Sequence, residues 1–82
     1  MNDKILVFKS TPENWEKEYK GIKKGTMRRD DGGPRFVMLR EWMKSKEYGY
    51  VVMERTTDKM AFIEPVSDVT AFEEDVYDIS WR

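Results

Sequence analysis

Residues 48–66, YGYVVMERTTDKMAFIEPV, carry the clearest secondary-structure signal in the chain. Residues 48–56 and 59–66 are rich in β-branched and aromatic side chains, and Thr57 and Asp58 stand between them as turn formers. Two such runs separated by a short turn are typical of a β-hairpin. The second half of the chain is therefore predicted to begin with two antiparallel strands.

Strand signals continue on both sides of this hairpin. Residues 69–72 and 76–81 are two further strand candidates, separated by an acidic turn. Nearer the start, residues 4–9 contain the apolar run Ile5-Leu6-Val7-Phe8, which is typical of a buried strand, and residues 26–28 form a short strand candidate. Because most of these five or six strands come late, the order favours an α+β domain with a small curled mixed sheet over a parallel α/β sheet.

A first helix is predicted after residue 10. Ser10 or Thr11 is expected to cap it, Pro12 suits its first turn, and Glu13 stands where a capping box needs an acidic residue. Three apolar side chains follow at helical spacing and are expected to pack into the core: Trp15, Tyr19 and Ile22.

A second helix is predicted over residues 35–46. It follows the turn signal Asp30-Asp31-Gly32-Gly33-Pro34 and carries apolar side chains near helical spacing: Phe36, Leu39, Trp42 and Met43. The domain is thus expected to contain two helices beside its sheet.

Composition excludes several classes of protein. A chain of 82 residues is expected to form one domain. It contains no cysteine and no histidine, so disulfide frameworks, histidine-dependent nucleophiles and the usual zinc sites are excluded, and no metal or cofactor is expected. Residues 1–8 lack the long apolar stretch expected of a signal peptide, and no apolar run approaches the roughly 18 residues that a membrane span requires. The sequence therefore predicts a cytoplasmic protein without a membrane partner.

Charge is distributed unevenly along the chain. Residues 1–46 carry 12 Lys and Arg against 7 Asp and Glu, whereas residues 47–82 carry 3 against 9, within a net charge of −1. Five cations fall inside ten residues: Lys20, Lys23, Lys24, Arg28 and Arg29. Such a cluster attracts an anionic partner locally, while the net charge disfavours non-specific binding to nucleic acid.

The segment Gly21-Ile22-Lys23-Lys24-Gly25-Thr26-Met27-Arg28 has the form G-x-K-x-x-T-x-R after a strand and an amphipathic helix. In that setting it resembles the signature of the ASCH domains, a branch of the PUA-like superfamily. Arg40-Glu41-Trp42 and the ending, residues 67–72 and 79–81, look like segments of small phage-associated relatives. The resemblance implies a partly open PUA-like β-barrel with two helices.

The resemblance also implies a function, which is the binding of RNA or of a nucleotide-like or nucleoside-like ligand in a cleft beside the segment, without catalysis. Charged side chains would bond to phosphates or base edges, and Trp42 or Tyr48 would stack on a base. The ordinary alternative is that the cations form a solvated face and the aromatic side chains belong to the core. The ligand-binding candidates are Lys23, Lys24, Thr26, Arg28, Arg29 and Trp42.

Some small ASCH proteins are amidohydrolases that deacylate acetylated cytidine with a Lys, a Thr and a Glu. By that resemblance Lys23 would activate the Thr26 hydroxyl as nucleophile, and Glu73 or, preferably, Glu74 would protonate the leaving amine. Gly25 is expected to loosen the strand that holds Lys23 and Thr26, so we expect little or no activity.

A third alternative is a small protein that binds and inhibits or modulates another protein. The second half of the chain offers an acidic surface that suits a basic partner or mimics nucleic acid: Glu64, Asp68, Glu73, Glu74, Asp75 and Asp78.

Overall fold

The computed structural model describes residues 4–82. Within this range the chain forms two helices and five strands, which confirms the predicted α+β class and the predicted number of helices. In chain order these are β1 (Ile5–Ser10), α1 (Pro12–Tyr19), β2 (Gly25–Arg29), α2 (Pro34–Ser45), β3 (Tyr50–Arg55), β4 (Ala61–Glu73) and β5 (Val76–Trp81).

The five strands form one mixed sheet in the order β1-β3-β4-β5-β2. β1 pairs with β3 in parallel, and the other three pairings are antiparallel, including the predicted hairpin of β3 and β4. The sheet curls until its two edge strands approach each other. Arg28 of β2 bridges the gap between them, because its Nη1 donates to the Lys9 carbonyl of β1 at 2.9 Å. The result is a half-barrel with an opening between β1 and β2.

The concave side of this sheet holds the core. Alternate side chains of the strands point inward, among them Phe8, Val51, Met53 and Ile79, each at most 1% exposed. The two helices pack on this side through buried residues of their own. Trp15 of α1 also donates its indole Nε1–H to the Met53 carbonyl at 2.9 Å, which ties the helix to β3. α2 contributes Phe36, Leu39 and Trp42.

The predicted apolar stripe of the first helix is wrong in two of its three members. Trp15 is buried, but Tyr19 is 60% exposed and Ile22 is 75% exposed. Helix α1 ends at Tyr19, and Gly21 then takes a positive φ of 76°, so Ile22 leaves the helix axis before it can reach the core. Glu18, three residues after Trp15, takes the inward position instead and is 1% exposed.

The predicted capping box is also wrong. Thr11 is the N-cap residue and makes no side-chain capping bond, while the Ser10 hydroxyl donates to Glu18 Oε1 at 2.9 Å. Ser10 is the last residue of β1, and its side chain points into the half-barrel rather than toward the first turn of α1. Its hydroxyl therefore serves a buried carboxylate.

The two predicted strands at residues 59–66 and 69–72 are one strand, β4, which runs from Ala61 to Glu73. Its pairing with β5 shifts register between Val66 and Asp68 and again between Ala71 and Glu73. Such irregularities bend a strand without ending it, which lets β4 take part in both halves of the curled sheet. The polar residues near position 67 thus mark a bend and not a turn.

Neither helix within residues 4–82 combines the length and the apolar character that a membrane crossing requires.

Candidate functional site

A polar cleft of about 230 Å³ lies at the opening of the half-barrel. Its walls come from the end of β1, the inner side of α1, and β2 with the loop before it. Three of the predicted site residues, Lys23, Thr26 and Arg28, line this one cleft. The other lining residues are Lys9, Ser10, Thr11, Asn14, Glu18 and Met27.

Arg28 is the most firmly held cation of the cleft. Its Nε donates to Thr26 Oγ1 at 3.0 Å and its Nη2 donates to Ser10 Oγ at 3.0 Å, in addition to the bond from Nη1 to the Lys9 carbonyl. Its guanidinium carbon also lies 5.1 Å from the centre of the Phe8 ring. Burial lowers the pKa of Arg28, an effect that the nearby Glu18 carboxylate opposes. Three of its five N–H groups are used, which leaves two for a ligand.

Glu18 forms the acidic part of the cleft. One carboxylate oxygen accepts the Ser10 hydroxyl, and the other, Oε2, lies 3.9 Å from Lys23 Nζ. A buried carboxylate needs such partners, because an unpaired charge in a protein interior is costly. It has lone pairs left to accept further hydrogen bonds. Sequence reasoning missed Glu18, although its position three residues after Trp15 places it on the core-facing side of α1.

Thr26 is fixed in the wall of the cleft. It is 3% exposed and stands opposite Ile79 in the pairing of β2 with β5. Gly25 beside it pairs with Ser80, and a Cβ added at Gly25 would lie 3.0 Å from the Ile79 carbonyl oxygen. The expectation that Gly25 loosens this strand is therefore wrong, since close backbone contact with β5 holds it.

The remaining ligand-binding and catalytic candidates do not line the cleft. Lys24 is exposed and borders a neighbouring hollow with Asp78 and Ser80. Arg29 lies toward the other end of β2, where its Nη1 is 2.9 Å from Asp75 Oδ2. Glu74 is in the exposed turn between β4 and β5, at that same end of the sheet. Within residues 4–82 Lys23 forms its ion pair with Glu18.

The two aromatic side chains proposed for base stacking also lie elsewhere. Trp42 is 4% exposed and borders a separate hollow beside Val37 and Met38 of α2. The Tyr48 hydroxyl donates to Asp68 Oδ1 at 3.1 Å. Burial, followed by this hydrogen bond, raises the pKa of Tyr48. Neither ring lines the cleft.

An aromatic cluster of Trp15, Tyr19, Phe62 and Trp81 has one exposed member, Tyr19, which follows the cleft residue Glu18 in the chain. The Tyr19 ring stacks on Trp15 with a centroid distance of 5.0 Å and an interplanar angle of 9°, and it lies 5.7 Å from Phe62. Phe62 in turn lies 6.3 Å from Trp81, whose backbone N–H donates to the Lys24 carbonyl. Trp81 thus connects this aromatic cluster to the loop that carries Lys23 and Lys24.

The chemistry of the cleft is that of hydrogen-bonded recognition. Arg28 and Lys23 offer donors, Glu18 offers acceptors, and the Thr26 hydroxyl can do both. Among residues 4–82 no group of three or more acidic, histidine or cysteine side chains is placed to hold a metal ion. No protein-family model, no curated protein and no solved structure matches this chain, so the likeness to the ASCH domains rests on the sequence pattern alone.

Proposed function

We propose that this chain binds a base or nucleoside-like ligand, free or within RNA, in the cleft of Glu18, Lys23, Thr26 and Arg28, without transforming it. The observation that carries the proposal is the convergence of Lys23, Thr26 and Arg28 on one polar cleft with a buried carboxylate at its side. A merely solvated basic face would leave these side chains pointing apart.

The size of the cleft supports a small ligand. Pockets for drug-sized molecules are roughly 300 to 1,000 Å³. The cleft, at about 230 Å³, is smaller and suits a single base or a nucleoside part rather than an oligonucleotide. The rest of an oligonucleotide would lie outside the cleft.

The polarity of the cleft supports a ligand whose edge carries a donor beside an acceptor. Glu18 can accept from an exocyclic amino group, as acidic side chains do with cytosine N4. Arg28 and Lys23 can donate to a neighbouring carbonyl oxygen or phosphate. Cytosine presents both groups on one edge, so we expect it to bind more tightly than uracil.

The exposed ring of Tyr19 supports RNA over a free nucleoside. Tyr19 is stacked on one side by Trp15 yet remains 60% exposed, so part of its ring is open to a base. Stacking of a base on an aromatic side chain contributes about 1 to 3 kcal/mol. A nucleotide in the cleft would place its phosphate near the Lys23-Lys24 loop and its neighbour's base near Tyr19.

Three features favour binding over hydrolysis. Lys23 contacts the Glu18 carboxylate at 3.9 Å, whereas a general base for Thr26 must be uncharged. The Thr26 oxygen accepts from Arg28, which orients the hydroxyl within the wall of the cleft. Glu74, the expected proton donor, lies at the other end of the sheet.

NMR titration of the full chain with cytidine, uridine and short single-stranded RNA tests the proposal. We expect shifts of residues in the cleft with each cytosine-containing ligand. With RNA only, we expect additional shifts at Tyr19 and binding that weakens with salt. Shifts confined to the acidic second half, or none at all, would contradict the proposal and favour a protein partner.

A matched pair of lysine variants sharpens the test. Lys23→Ala removes a cation that lines the cleft, and we expect it to weaken binding about tenfold, as for the loss of one hydrogen bond from a charged group. Lys20→Ala removes another exposed cation, which pairs with Glu16 at 3.4 Å and does not line the cleft. Equal effects of both variants would indicate non-specific attraction instead of a site.

A further inference from the structure

The convex face of β1, β3 and β4 carries a contiguous apolar patch, here called the outer patch. Strand register places its side chains in two rows, each crossing three strands. The first row is Ile5, Tyr50 and Pro65, and the second is Val7, Val52 and Ile63. None of these six side chains is charged.

The outer patch is open to solvent. Ile5, Val7, Tyr50 and Ile63 are 38%, 45%, 48% and 54% exposed. Both helices pack on the concave side, where the inward residues of the same strands form the core. Within residues 4–82 no element of the chain covers this face.

Such a face is unusual for a sheet that meets water. A sheet face in contact with water normally carries polar side chains. Strands that are covered on both faces instead have continuously apolar sequences, and this is most common in parallel pairs. Ile5-Leu6-Val7-Phe8 and Tyr50-Val51-Val52-Met53 are two such runs, and they belong to the parallel pair of β1 and β3. Their composition fits strands with a second layer on the convex side.

We propose that the second layer is another copy of this chain, and that the protein forms a homodimer in which two outer patches pack face to face. Two sheets that pack in this way form a sandwich with an apolar centre. An isologous two-fold contact needs a surface that is compatible with itself. An uncharged two-row patch meets that requirement.

The charges around the patch agree with self-association. The next row of the same face holds Lys9 of β1 opposite Glu54 of β3, one cation and one anion. A second copy therefore meets a rim of mixed sign, and a net charge of −1 adds little repulsion between copies. A strongly basic or acidic partner would meet one opposite and one like charge here, with no net attraction.

Association through the β1 edge of the sheet, which adjoins the outer patch, is hindered. The carbonyls of Val7 and Lys9 on the free edge of β1 accept hydrogen bonds from Arg35 and Arg28, both at 2.9 Å. Edge pairing with another strand would have to break these bonds. The face offers contact without that loss.

The apolar area of the outer patch indicates how tightly the two copies can bind. Side chains exposed to this extent present on the order of 400 Å² of apolar surface, which is within the range of the largest patches on monomers. A standard interface buries about 800 Å² per partner, so rim residues must supply the rest. We therefore expect a reversible dimer that forms at micromolar concentration or above, and not an obligate one.

Sedimentation equilibrium of the full chain, from about 1 µM to about 1 mM, tests this proposal. We expect the average mass to rise from 9.8 kDa toward twice that value. Ile63→Lys should raise the dissociation constant at least tenfold. Phe72→Lys is the matched control, because Phe72 is also an exposed apolar residue of β4, 62% exposed, but lies outside the patch.

Dilution followed by NMR adds a measurement that needs no variant. We expect concentration-dependent amide shifts at the outer patch and not at the cleft. A chain that stays monomeric throughout, or that associates equally well as Ile63→Lys, overturns the proposal and leaves the face to a different partner. Because the outer patch and the cleft are separate, this result and the ligand titration can fail independently.

Discussion

Glu18 is the side chain on which the cleft depends most. It is buried, it accepts from Ser10, and it lies beside Lys23 and close enough to Arg28 to act on the pKa of that guanidinium. A buried carboxylate with hydrogen-bonding partners holds its neighbours in place, and removal of one member leaves the others unpaired. The same carboxylate therefore serves the stability of the domain and the shape of the site.

Replacement of Glu18 by alanine should lower the free energy of unfolding by about 3 kcal/mol, because it leaves the buried Ser10 hydroxyl without its acceptor and half-buried Arg28 without a neighbouring negative charge. Glu16→Ala is the matched control on the same helix. Glu16 is 45% exposed and pairs with Lys20 and Arg55, so its loss should cost less than about 1 kcal/mol. Chemical denaturation measures both, and equal costs would contradict the role given to Glu18.

Lys23 and Thr26 also permit a direct test of catalysis. We expect no release of cytidine from acetylated cytidine, because Lys23 contacts a carboxylate and Glu74 is remote from both residues. Chromatographic detection of cytidine measures this. Robust turnover that is abolished both by Lys23→Ala and by Thr26→Ala would overturn the binding-only proposal and would direct the search for a proton donor to Glu18.

Among the helices and strands, the hairpin of β3 and β4 has a turn that backbone hydrogen bonds between Arg55 and both Lys59 and Met60 close, and an ion pair adds to them. Arg55 donates to both carboxylate oxygens of Asp58, with its Nη2 2.6 Å from Oδ2, and Asp58 also accepts the Met60 backbone N–H. The hydrogen bond from Arg55, the largest effect, lowers the pKa of Asp58 from 3.8 to about 2. A carboxyl whose pKa is lowered on folding stabilises the folded state only while it is ionised.

The stabilisation by Asp58 should therefore be complete above its unfolded pKa of 3.8 and be lost as the pH falls toward about 2. We expect wild type to melt at a higher temperature than Asp58→Asn near neutral pH, with a difference that shrinks below about pH 4. Thermal unfolding followed by circular dichroism at a series of pH values measures this. A difference that stays constant as the pH falls would show that the charge of Asp58 does not stabilise the turn.

Local patterns predicted the elements well, because each depends on a short stretch of chain. The apolar run of β1, the turn before α2 and the Thr57-Asp58 turn are all visible in sequence. The sequence predicts two strands where β4 only bends. Polar Ser67 and Asp68 resemble a turn, and the pairing of β4 with β5 that keeps the strand continuous cannot be seen in the sequence. Tyr19 was assigned to the core because helical spacing does not reveal where α1 ends.

The cleft was predicted only in part. Lys23, Thr26 and Arg28 share one short segment, so their proximity could be inferred from sequence. The partners from β1 and α1, Ser10 and Glu18, reach the site only because the sheet curls and brings its two edges together. The curling of the sheet depends on contacts between distant residues, so no short stretch of sequence predicts it. For the same reason the sequence could not show that Trp42 and Glu74 lie away from the cleft.

For the molecule as a whole, the order of the strands determines how the chain must assemble. Short turns join β3, β4 and β5. In contrast, β1 pairs with β3 and β2 pairs with β5 across long separations in sequence. Contacts between distant parts of a chain slow folding, because the entropy of closing a long loop is lost before the contacts form. We expect β3-β4-β5 to form the folding nucleus and the two edge strands to dock late.

Folding kinetics of two core variants can test this order. Val69→Ala in β4 and Leu6→Ala in β1 both remove buried side chains, which are 1% and 4% exposed. We expect Val69→Ala mainly to slow folding, with a φ-value above about 0.5, and Leu6→Ala mainly to speed unfolding, with a φ-value below about 0.3. The reverse pattern would place β1 in the nucleus.

If β1 and β2 dock last, the cleft between them is the last part of the molecule to form and the first to open. A ligand bound in the cleft would therefore act chiefly by slowing unfolding.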